Sequence, residues 1–295
     1  MKVRFRDKLR LNKKNQKQLI IINKIIDEYK NQGYTLTLRQ LFYQLVSRDI
    51  IPNETKEYSK LSGLLVKGRM SGVVDWEAIE DRIRVPYIPS AWDSPEEIIE
   101  SAIYTYRRNR QEGQKVYIEL WVEKDALSGV LKKITEKYHI NLMVNRGYSS
   151  CTAMHDSFKR LKEEEIKGKQ TYILYLGDHD PSGLDMIRDI KDRLEEFGVN
   201  PEVRQIGLTM DQIRNFNPPP NPAKVKDPRA TEYIKKYGRT SWEVDALNPE
   251  TLNRLVKENV EGLISAKLFN DSLRKEEQDK LKLKELAKGK EENDG

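Results

Sequence analysis

The sequence predicts an α/β protein in which a helical N-terminal part is followed by a mainly parallel sheet with helices on its faces. Three observations predict this class. The chain has 295 residues, which is enough for two domains of ordinary size. Residues 13–69 carry apolar side chains at helical spacing, and residues 116–208 alternate short apolar runs with amphipathic segments. Such alternation of strands and helices is typical of parallel sheets.

Composition narrows the class of protein further. The chain is 34% charged and 37% apolar, and its formal net charge of +6 is compatible with a nucleic-acid partner. A single cysteine, Cys151, excludes an intrachain disulfide and suits a reducing cytosol. One cysteine and three histidines are too few for an ordinary structural zinc site. Because no apolar stretch approaches about 18 residues and no secretory signal is evident, we expect a cytoplasmic protein without a membrane partner.

Three helices are predicted in the N-terminal part. Apolar residues recur at three-to-four spacing over residues 13–32. Thr37 and Gln40 form a capping box at the start of a second helix. Asn53 is the expected N-cap of a third helix, which ends near Arg69. Three consecutive helices of this kind indicate a helix-turn-helix arrangement.

The segments on either side of these helices are predicted to form a β-hairpin and a basic N-terminal arm. Segment 72–89 is short, rich in β-branched residues and contains two prolines, so it is compatible with a small hairpin. Helices followed by such a hairpin predict a winged helix-turn-helix. Residues 1–18 are rich in lysine and arginine and carry one acid, Asp7; they form either a solubilising arm or an arm that follows DNA phosphates. We assign residues 1–90 to a winged-helix domain with a basic arm.

Residues 91–265 are predicted to form a single α/β domain. Ser94, Pro95 and Glu97 give a strong helix start, and this helix should extend to about Arg110. Beyond it, helices at 125–138, 151–165 and 181–198 alternate with apolar strands at 116–122, 141–145, 171–177 and 201–208. This order predicts a parallel sheet covered by helices.

The C-terminal third carries weaker signals. A loop is predicted at 214–228 and an amphipathic helix at 250–264. Between them, the acidic-apolar run 242–247 is expected to pack, although its acids could support a site. Residues 266–295 are expected to form a charged tail whose end frays. None of the three histidines has an evident catalytic partner in the sequence, and His179 should point away from the acids beside it.

Two of the predicted strands end in acidic residues. Glu123 follows the first strand, and Asp178 and Asp180 follow the third. Ligands of open parallel sheets bind beyond the carboxyl ends of the strands, and alternate side chains of an extended segment share a face, so these carboxylates can converge. Converging carboxylates repel unless a cation lies between them, and oxygen ligands favour Mg²⁺ or Mn²⁺. Asp185 could also reach the ion. Alternatively, these acids are helix caps and solvated loop ends.

At these acids the sequence resembles a known family. The motifs V-E-K-D-A at 122–126, R-G-Y at 146–148 and G-D-H-D-P-S-G at 177–183 are similar to the Toprim motifs of the topoisomerase VI A subunit and its meiotic double-strand-break relative, the type IIB topoisomerase A-like family. Order and spacing agree across residues 115–205. The resemblance implies a Toprim domain, Rossmann-like with a mainly parallel sheet, in which Mg²⁺ is bound by Glu123, Asp178 and Asp180.

The second predicted helix resembles the winged-helix motif of the same family. In that motif an arginine precedes two aromatic residues, of which the second is the catalytic tyrosine, and the run T-L-R-Q-L-F-Y at 37–43 matches it. The resemblance implies Tyr43 as the nucleophile. Arg39 and Tyr43 share a helix face, turned away from the apolar stripe, so the guanidinium can hold a phosphate beside the phenol. The alternative is a surface tyrosine that packs on an arginine.

A basic face is predicted on the third helix. It consists of Lys56, Lys60, Lys67 and Arg69, and it could be extended by Arg82 and Arg84. In a winged helix, a basic face on the third helix commonly contacts DNA phosphates. The alternative is an ordinary solvated face.

The resemblance implies a function as well as a fold. We expect Mg²⁺-dependent cleavage of double-stranded DNA, in which Tyr43 attacks a phosphodiester and forms a 5′-phosphotyrosyl link. The family implies a homodimer, in which Tyr43 of one protomer meets the acids of the other. The chain is shorter than a full A subunit and is similar to the compact Topo mini-A proteins of mobile elements, so a phage or plasmid origin and association with the nucleoid are expected. We find neither an ATP-binding motif nor an ATPase subunit in the sequence.

Two other functions remain as alternatives. A Toprim nuclease would hydrolyse DNA with metal-activated water, and it would tolerate loss of the Tyr43 hydroxyl. A non-catalytic DNA-binding module of a mobile element would leave DNA intact and bind it in a salt-sensitive way. The clustered acids disfavour the second alternative, because a pure binder gains little from holding acids near phosphates.

Overall fold

The computed structural model describes residues 2–5, 11–81, 88–145, 147–223 and 227–288. Its helices are α1 (Lys13–Asn31), α2 (Leu38–Ser47), α3 (Thr55–Met70), α4 (Pro95–Thr105), α5 (Ser128–Tyr138), α6 (Cys151–Ile166), α7 (Pro181–Glu196), α8 (Met210–Phe216), α9 (Ala230–Tyr237), α10 (Pro249–Glu261) and α11 (Ala266–Lys288). Its strands are β1 (Val116–Val122), β2 (Asn141–Val144), β3 (Gln170–Leu176), β4 (Glu202–Gly207), β5 (Pro220–Pro222) and β6 (Thr240–Trp242).

The first three helices pack around one apolar core. The predicted capping box of Thr37 and Gln40 is present at the start of α2, and α1 occupies the predicted range. The start of α3 differs, because Glu54 occupies the N-cap position and makes no side-chain cap. The side chain of Asn53, the predicted cap, donates instead to that of Asn221. The prediction that Asn53 caps α3 is therefore wrong. The Asn53 side chain instead forms a hydrogen bond with a residue that is distant in sequence.

A wing after α3 is not confirmed. The described residues that follow α3 form a short 3-10 turn at Trp76–Ala78 and a single parallel bridge between Leu36 and Ile79. The second half of the predicted hairpin falls at residues 82–87, which lie outside the described residues. The N-terminal part is a three-helix unit, and the winged helix remains a prediction.

The α/β class is confirmed by a four-stranded sheet. Its strand order is β2-β1-β3-β4, and every neighbouring pair is parallel. One face buries Leu120 and Leu174 against α5 and α10, and the other face buries Trp121 and Tyr175 against α6 and α7. Because side chains alternate across a strand, continuous apolar runs are needed to fill both faces. The helices on both faces therefore follow from the unbroken apolar sequences of β1 and β3.

Three boundaries differ from the sequence prediction. Helix α4 ends at Thr105, short of the predicted end near Arg110. The segment predicted as a loop at 214–228 contains the end of α8 and strand β5, and β5 pairs with β6 in an antiparallel ladder. Residues 224–226 of that segment lie outside the described residues. Short elements of this kind carry too few residues for a periodic signal.

The predicted charged tail is an anchored helix through Lys288. On α11, Glu276 accepts the backbone N–H of Arg108 at 2.9 Å and the guanidinium of Arg110 at 3.0 Å. One turn further, Asp279 accepts the Tyr106 hydroxyl at 2.9 Å. The prediction that this segment frays is wrong for residues 266–288, because its acids pair with the arginine-rich segment after α4. Although α11 spans 23 residues, no helix of the described residues is both long and apolar enough to cross a membrane.

Candidate metal and tyrosine site

The loops that follow β1 and β3 lie side by side at one edge of the sheet. The register pairs Val122 with Leu176, so both strands end at the same level. The N–H of Glu123 continues the ladder and donates to the Leu176 carbonyl at 3.0 Å. The N–H of Asp178 then donates to the Glu123 carboxylate at 3.0 Å. Glu123 thereby fixes the backbone that carries Asp178.

Asp180 begins helix α7. Its carboxylate accepts the N–H of Gly183 at 2.7 Å and the hydroxyl of Ser182 at 3.0 Å, which is the arrangement of an N-cap. The side chain between the two aspartates, that of His179, contacts the Tyr233 hydroxyl at 2.9 Å. Asp180 thus has the capping role that the sequence left as an alternative.

A third segment reaches the same edge from the C-terminal part. The backbones of His179 and Trp242 exchange hydrogen bonds of 2.8 and 3.1 Å, which aligns the residues after β6 with the loop after β3. The N–H of Val244 donates to the Asp178 carboxylate at 2.9 Å. This alignment places two further acids beside Asp178, namely Glu243 and Asp245.

Three carboxylates converge at this edge. Asp178, Glu243 and Asp245 each offer one oxygen, and these oxygens lie within 4.8 Å of one another. Metal–oxygen distances of about 2.0–2.6 Å place ligand oxygens at such separations around Mg²⁺ or Ca²⁺. Asp178 and Asp245 are 4% and 1% exposed, so these two carboxylates are shielded from water, whereas the Glu243 side chain is 23% exposed. These residues fit a divalent cation, and the chain can hold a metal ion here.

The ammonium of Lys124 lies among the same three acids. Its Nζ is 2.7 Å from Asp178 and 3.4 Å from Asp245, and it also contacts Glu243. The Lys124 side chain is 15% exposed. Converging carboxylates would repel one another without a cation. Lys124 supplies such a positive charge from the chain itself.

Helix α2 brings Arg39 and Tyr43 to another side of these acids. The Arg39 guanidinium donates to Asp245 at 2.5 Å and to Glu243. The Tyr43 hydroxyl accepts a hydrogen bond of 3.4 Å from the Arg39 guanidinium. Tyr43 is only 5% exposed. The alternative of a surface tyrosine is therefore wrong, because this helix face packs against the turn that carries Glu243 and Asp245.

The tyrosine and the acids meet within a single chain. Arg39 and Glu243 are 204 positions apart in sequence, and their contact joins the helical unit to the α/β unit. The family resemblance implies that Tyr43 meets the acids of a partner protomer. In this chain Arg39 already joins the Tyr43 hydroxyl to Glu243 of the same protomer.

The surrounding charges set the protonation of these groups. Burial raises the pKa of Asp178 well above its usual range, although Lys124 opposes the rise. Burial alone would also raise the pKa of Glu243, but Lys124 and Arg39 outweigh it and lower that pKa to about 2. Burial raises the pKa of Tyr43, and Arg39 only partly offsets this. At neutral pH, Glu243 is therefore an ionised acceptor and Tyr43 keeps its proton.

The predicted metal ligands have different positions in this site. Asp178 belongs to the converging set, Glu123 supports its backbone, and Asp180 caps α7. Asp185, which the sequence suggested as a further ligand, pairs with Arg188 at 2.8 Å. Its direction is set by that arginine, one turn along α7, and it does not join the set.

The predicted DNA-contacting residues fall into two groups. The first group consists of three lysines whose side chains are exposed on α3, namely Lys56, Lys60 and Lys67. Arg69 differs, because its guanidinium donates to the carbonyls of Trp76 and Ile79 and holds the 3-10 turn. Arg69 therefore does not extend the exposed lysine face. Arg82 and Arg84 lie outside the described residues.

Lys124 was not predicted as a site residue, and the run that contains Glu243 and Asp245 was expected to pack, with support of a site only as an alternative. The available signal was the spacing of Glu243 and Asp245, which repeats the alternate-acid spacing of Asp178 and Asp180. No strand pattern tied this run to the sheet, because β6 has only three residues. Lys124 directly follows Glu123, and a lysine beside an acid gives no distinctive signal.

No protein-family model matches the chain, and no curated protein matches it.

Proposed function

We propose that the chain is a Mg²⁺-dependent DNA-cleaving transesterase, similar to type IIB topoisomerase A subunits, with Tyr43 as its nucleophile. The position of Arg39 carries the proposal. Its guanidinium lies 3.4 Å from the Tyr43 hydroxyl and also donates to Glu243 and Asp245, two carboxylates of the converging acid set. A tyrosine, a cation for a phosphate and acids that can hold a metal ion are the parts that such a reaction requires.

The reaction begins with release of the Tyr43 proton to water, because Glu243, with a pKa of about 2, is too weak a base to take it. As the tyrosine oxygen bonds to phosphorus, the bond from phosphorus to the 3′ oxygen breaks. The 3′ oxygen takes up a proton from water and leaves as a hydroxyl, which gives a 5′-phosphotyrosyl link. Arg39 holds a non-bridging phosphate oxygen through charge-assisted hydrogen bonds.

The acid set supplies the second half of the site. Mg²⁺, when bound, adds positive charge that stabilises the phosphate and the departing oxygen. Asp178, Glu243 and Asp245 would hold it, while Glu123 and Asp180 fix the loop around them. A carboxylate has two oxygens, so Glu243 can face the ion and the phenol together. Mn²⁺ has the same ligand preference.

Double-stranded DNA is the proposed substrate. The basic balance of the chain and the exposed lysines of α3, namely Lys56, Lys60 and Lys67, support an electrostatic attraction to phosphates. Each copy of the chain would cut one strand, so a homodimer would make a double-strand break.

Hydrolysis is a second candidate, and one observation favours it. Tyr43 is buried, and burial raises the pKa of its hydroxyl, which makes the phenol harder to ionise. A water molecule activated beside the acids would not meet that barrier. The chain would then be a metal-dependent nuclease in which Tyr43 only packs.

One experiment separates these functions. Supercoiled plasmid is incubated with the full chain and Mg²⁺, the reaction is stopped with denaturant, and protein attached to DNA ends is measured. We expect a covalent adduct with wild type and none with Tyr43→Phe. Tyr29→Phe is the matched control, because Tyr29 is also buried in the helical unit, at 3% exposure, and lies in α1. It should form the adduct normally.

The opposite results assign the other functions. Cleavage without an adduct that persists in Tyr43→Phe and is lost in Asp178→Asn would establish hydrolysis. Intact plasmid under all conditions, with salt-sensitive binding, would leave a DNA-binding module. Either result would overturn the transesterase.

A further inference from the structure

The acid set already contains a cation, and that cation belongs to the chain. Lys124 contacts Asp178, Glu243 and Asp245, the three residues whose oxygens converge. A lysine ammonium is a compact point charge on a flexible four-carbon stem. Its place in the site is therefore the place that a divalent ion would take.

Two cations that share these oxygens would lie close together. The ligand oxygens lie within 4.8 Å of one another, and the ammonium approaches Asp178 to 2.7 Å. An ion at about 2.1 Å from the same oxygens would stand almost against the ammonium, and like charges at that distance repel strongly. Occupation by the ion therefore requires Lys124 to leave.

The arrangement also lets Lys124 leave without disturbing the fold. Its side chain retains 15% exposure, so it borders solvent. Arg39 is held from α2 by Glu243 and Asp245 and would keep these two acids in position. Asp178 keeps the N–H of Val244 as a donor. The acids thus stay in place when the lysine moves.

We propose that Lys124 and a divalent cation compete for Asp178, Glu243 and Asp245, so that the metal enters the site by displacing Lys124. The inference rests on the proposed metal-dependent function of this site, and it adds two points. The metal is bound by Glu243 and Asp245, two acids outside the motifs of the family resemblance. The displaced ammonium, still tethered beside the site, becomes a donor for a DNA phosphate, so metal and DNA bind cooperatively.

The first test measures Mn²⁺ binding to the full chain by calorimetry, without DNA. We expect Lys124→Gln to bind Mn²⁺ at least tenfold more tightly than wild type, because the competing charge is gone. Lys132→Gln is the matched control, since Lys132 is exposed on α5 with a 3.8 Å contact to Glu136. It should leave the affinity unchanged. Equal or weaker binding by Lys124→Gln, or no binding by either protein, would overturn the competition.

Two further variants keep the test decisive. Lys124→Arg retains the charge in a bulkier group and should bind Mn²⁺ at least tenfold more weakly than wild type; unchanged affinity would overturn the proposal even if Lys124→Gln does not fold. Glu243→Gln should also weaken binding at least tenfold. If only Glu123→Gln and Asp180→Asn weaken it, the metal uses the other acids and the proposal is wrong. Circular dichroism checks the fold of each variant.

The proposed cooperativity between metal and DNA binding is tested separately. A short DNA duplex should tighten Mn²⁺ binding to wild type severalfold and should have less effect on Lys124→Gln; equal effects would overturn this part. Failure of the proposed function is distinguishable, because it would show as absence of the DNA adduct while the Mn²⁺ affinities still change as expected.

Discussion

At the residue scale, the site is a balance between carboxylates and side-chain cations. Asp245 is completely buried at its side chain, and Arg39 reaches it at 2.5 Å. Glu243 receives both Arg39 and Lys124. A buried charge that loses its partner costs far more than an exposed pair contributes. Removal of one cation should therefore affect the fold as well as the chemistry.

Arg39→Ala tests this balance. The change leaves Asp245 and Glu243 with Lys124 alone, so we expect the free energy of unfolding to fall by about 1–3 kcal/mol. Arg48→Ala is the matched control at the C-terminal end of α2, because Arg48 pairs with Glu28 where both side chains are about one-third exposed; its cost should be below about 1 kcal/mol. Urea unfolding measures both. Equal costs would show that Arg39 acts as an ordinary surface residue.

The residues of the site were predictable to different degrees. Asp178 and Tyr43 stand in motifs with distinctive neighbours, so the sequence pointed to them. The structure links them through Arg39, Glu243 and Lys124. Glu243 is positioned at the site by a β-bridge between His179 and Trp242. That bridge is a tertiary contact, which has no local periodicity and so leaves no sequence pattern.

At the element scale, the start of α7 is fitted closely to the loop that carries Asp178. A Cβ added at Gly183 would lie 2.3 Å from the Asp178 carbonyl oxygen, which is far inside van der Waals contact. The conflicting atom is backbone, so it cannot rotate aside. The first turn of α7 therefore fixes the position of Asp178 through close packing as well as through the Asp180 cap.

Gly183→Ala should displace that loop. We expect a folded but destabilised protein that binds Mn²⁺ at least tenfold more weakly, because Asp178 moves. Gly63→Ala is the control: nothing lies within 4 Å of its added Cβ on α3, and alanine should stabilise that helix by about 0.5–1 kcal/mol. Thermal unfolding and Mn²⁺ titration are the measurements. Unchanged metal affinity in Gly183→Ala would contradict the close fit.

The long C-terminal helix provides a second example at this scale. Glu276 on α11 and Arg110 are both buried, so each neutralises the other. We expect Glu276→Ala to cost about 2–4 kcal/mol, because Arg110 would remain as a buried unpaired charge. Glu277→Ala, at the exposed neighbouring position, should cost less than about 0.5 kcal/mol. Chemical denaturation compares them, and similar costs would show that α11 is not held by this pair.

The same pair makes the anchoring of α11 sensitive to pH. Burial alone would raise the pKa of Glu276, but the Arg108 N–H and the Arg110 guanidinium outweigh it and hold that pKa below its ordinary value of 4.5. When folding lowers the pKa of a carboxyl group, its contribution to stability is complete at pH values above the ordinary pKa. That contribution is lost as the pH falls through the pKa of the folded state. The Tm difference between wild type and Glu276→Gln should therefore shrink from about pH 6 to about pH 3. A Tm difference that stays constant over this pH range would contradict a role of Glu276 ionisation in stability.

The fold class was easier to predict than these anchoring contacts. Strands β1 and β3 are unbroken apolar runs, and their flanking helices carry strong caps such as Ser94 and Ser150. Such signals are local and survive in a single sequence. The anchoring of α11 depends on ion pairs between residues separated by more than 160 positions. From its charge composition alone, the same segment is expected to be a solvated tail.

At the scale of the whole molecule, two side-chain cations already pair with the acids of the site: Lys124 and Arg39. Because these cations offset the charge of the acids, we expect the chain to fold without metal, in contrast to small domains that fold only around an ion. We expect the chain to keep its far-UV circular dichroism and a cooperative melting transition in excess EDTA. Added Mg²⁺ should raise the Tm by mass action. Loss of helix signal on chelation would contradict a metal-independent fold.

The distance along the chain between Arg39 and Glu243 has a consequence for the timing of synthesis. At roughly 5–20 residues per second, the separation of 204 positions corresponds to a delay of roughly 10–40 s. During that interval the nascent chain carries Arg39 and Tyr43 without the carboxylates that pair with Arg39. A product that stops before residue 243 therefore has the tyrosine but lacks two of the three converging acids. The proposed DNA cleavage would be confined to chains whose synthesis has passed this point.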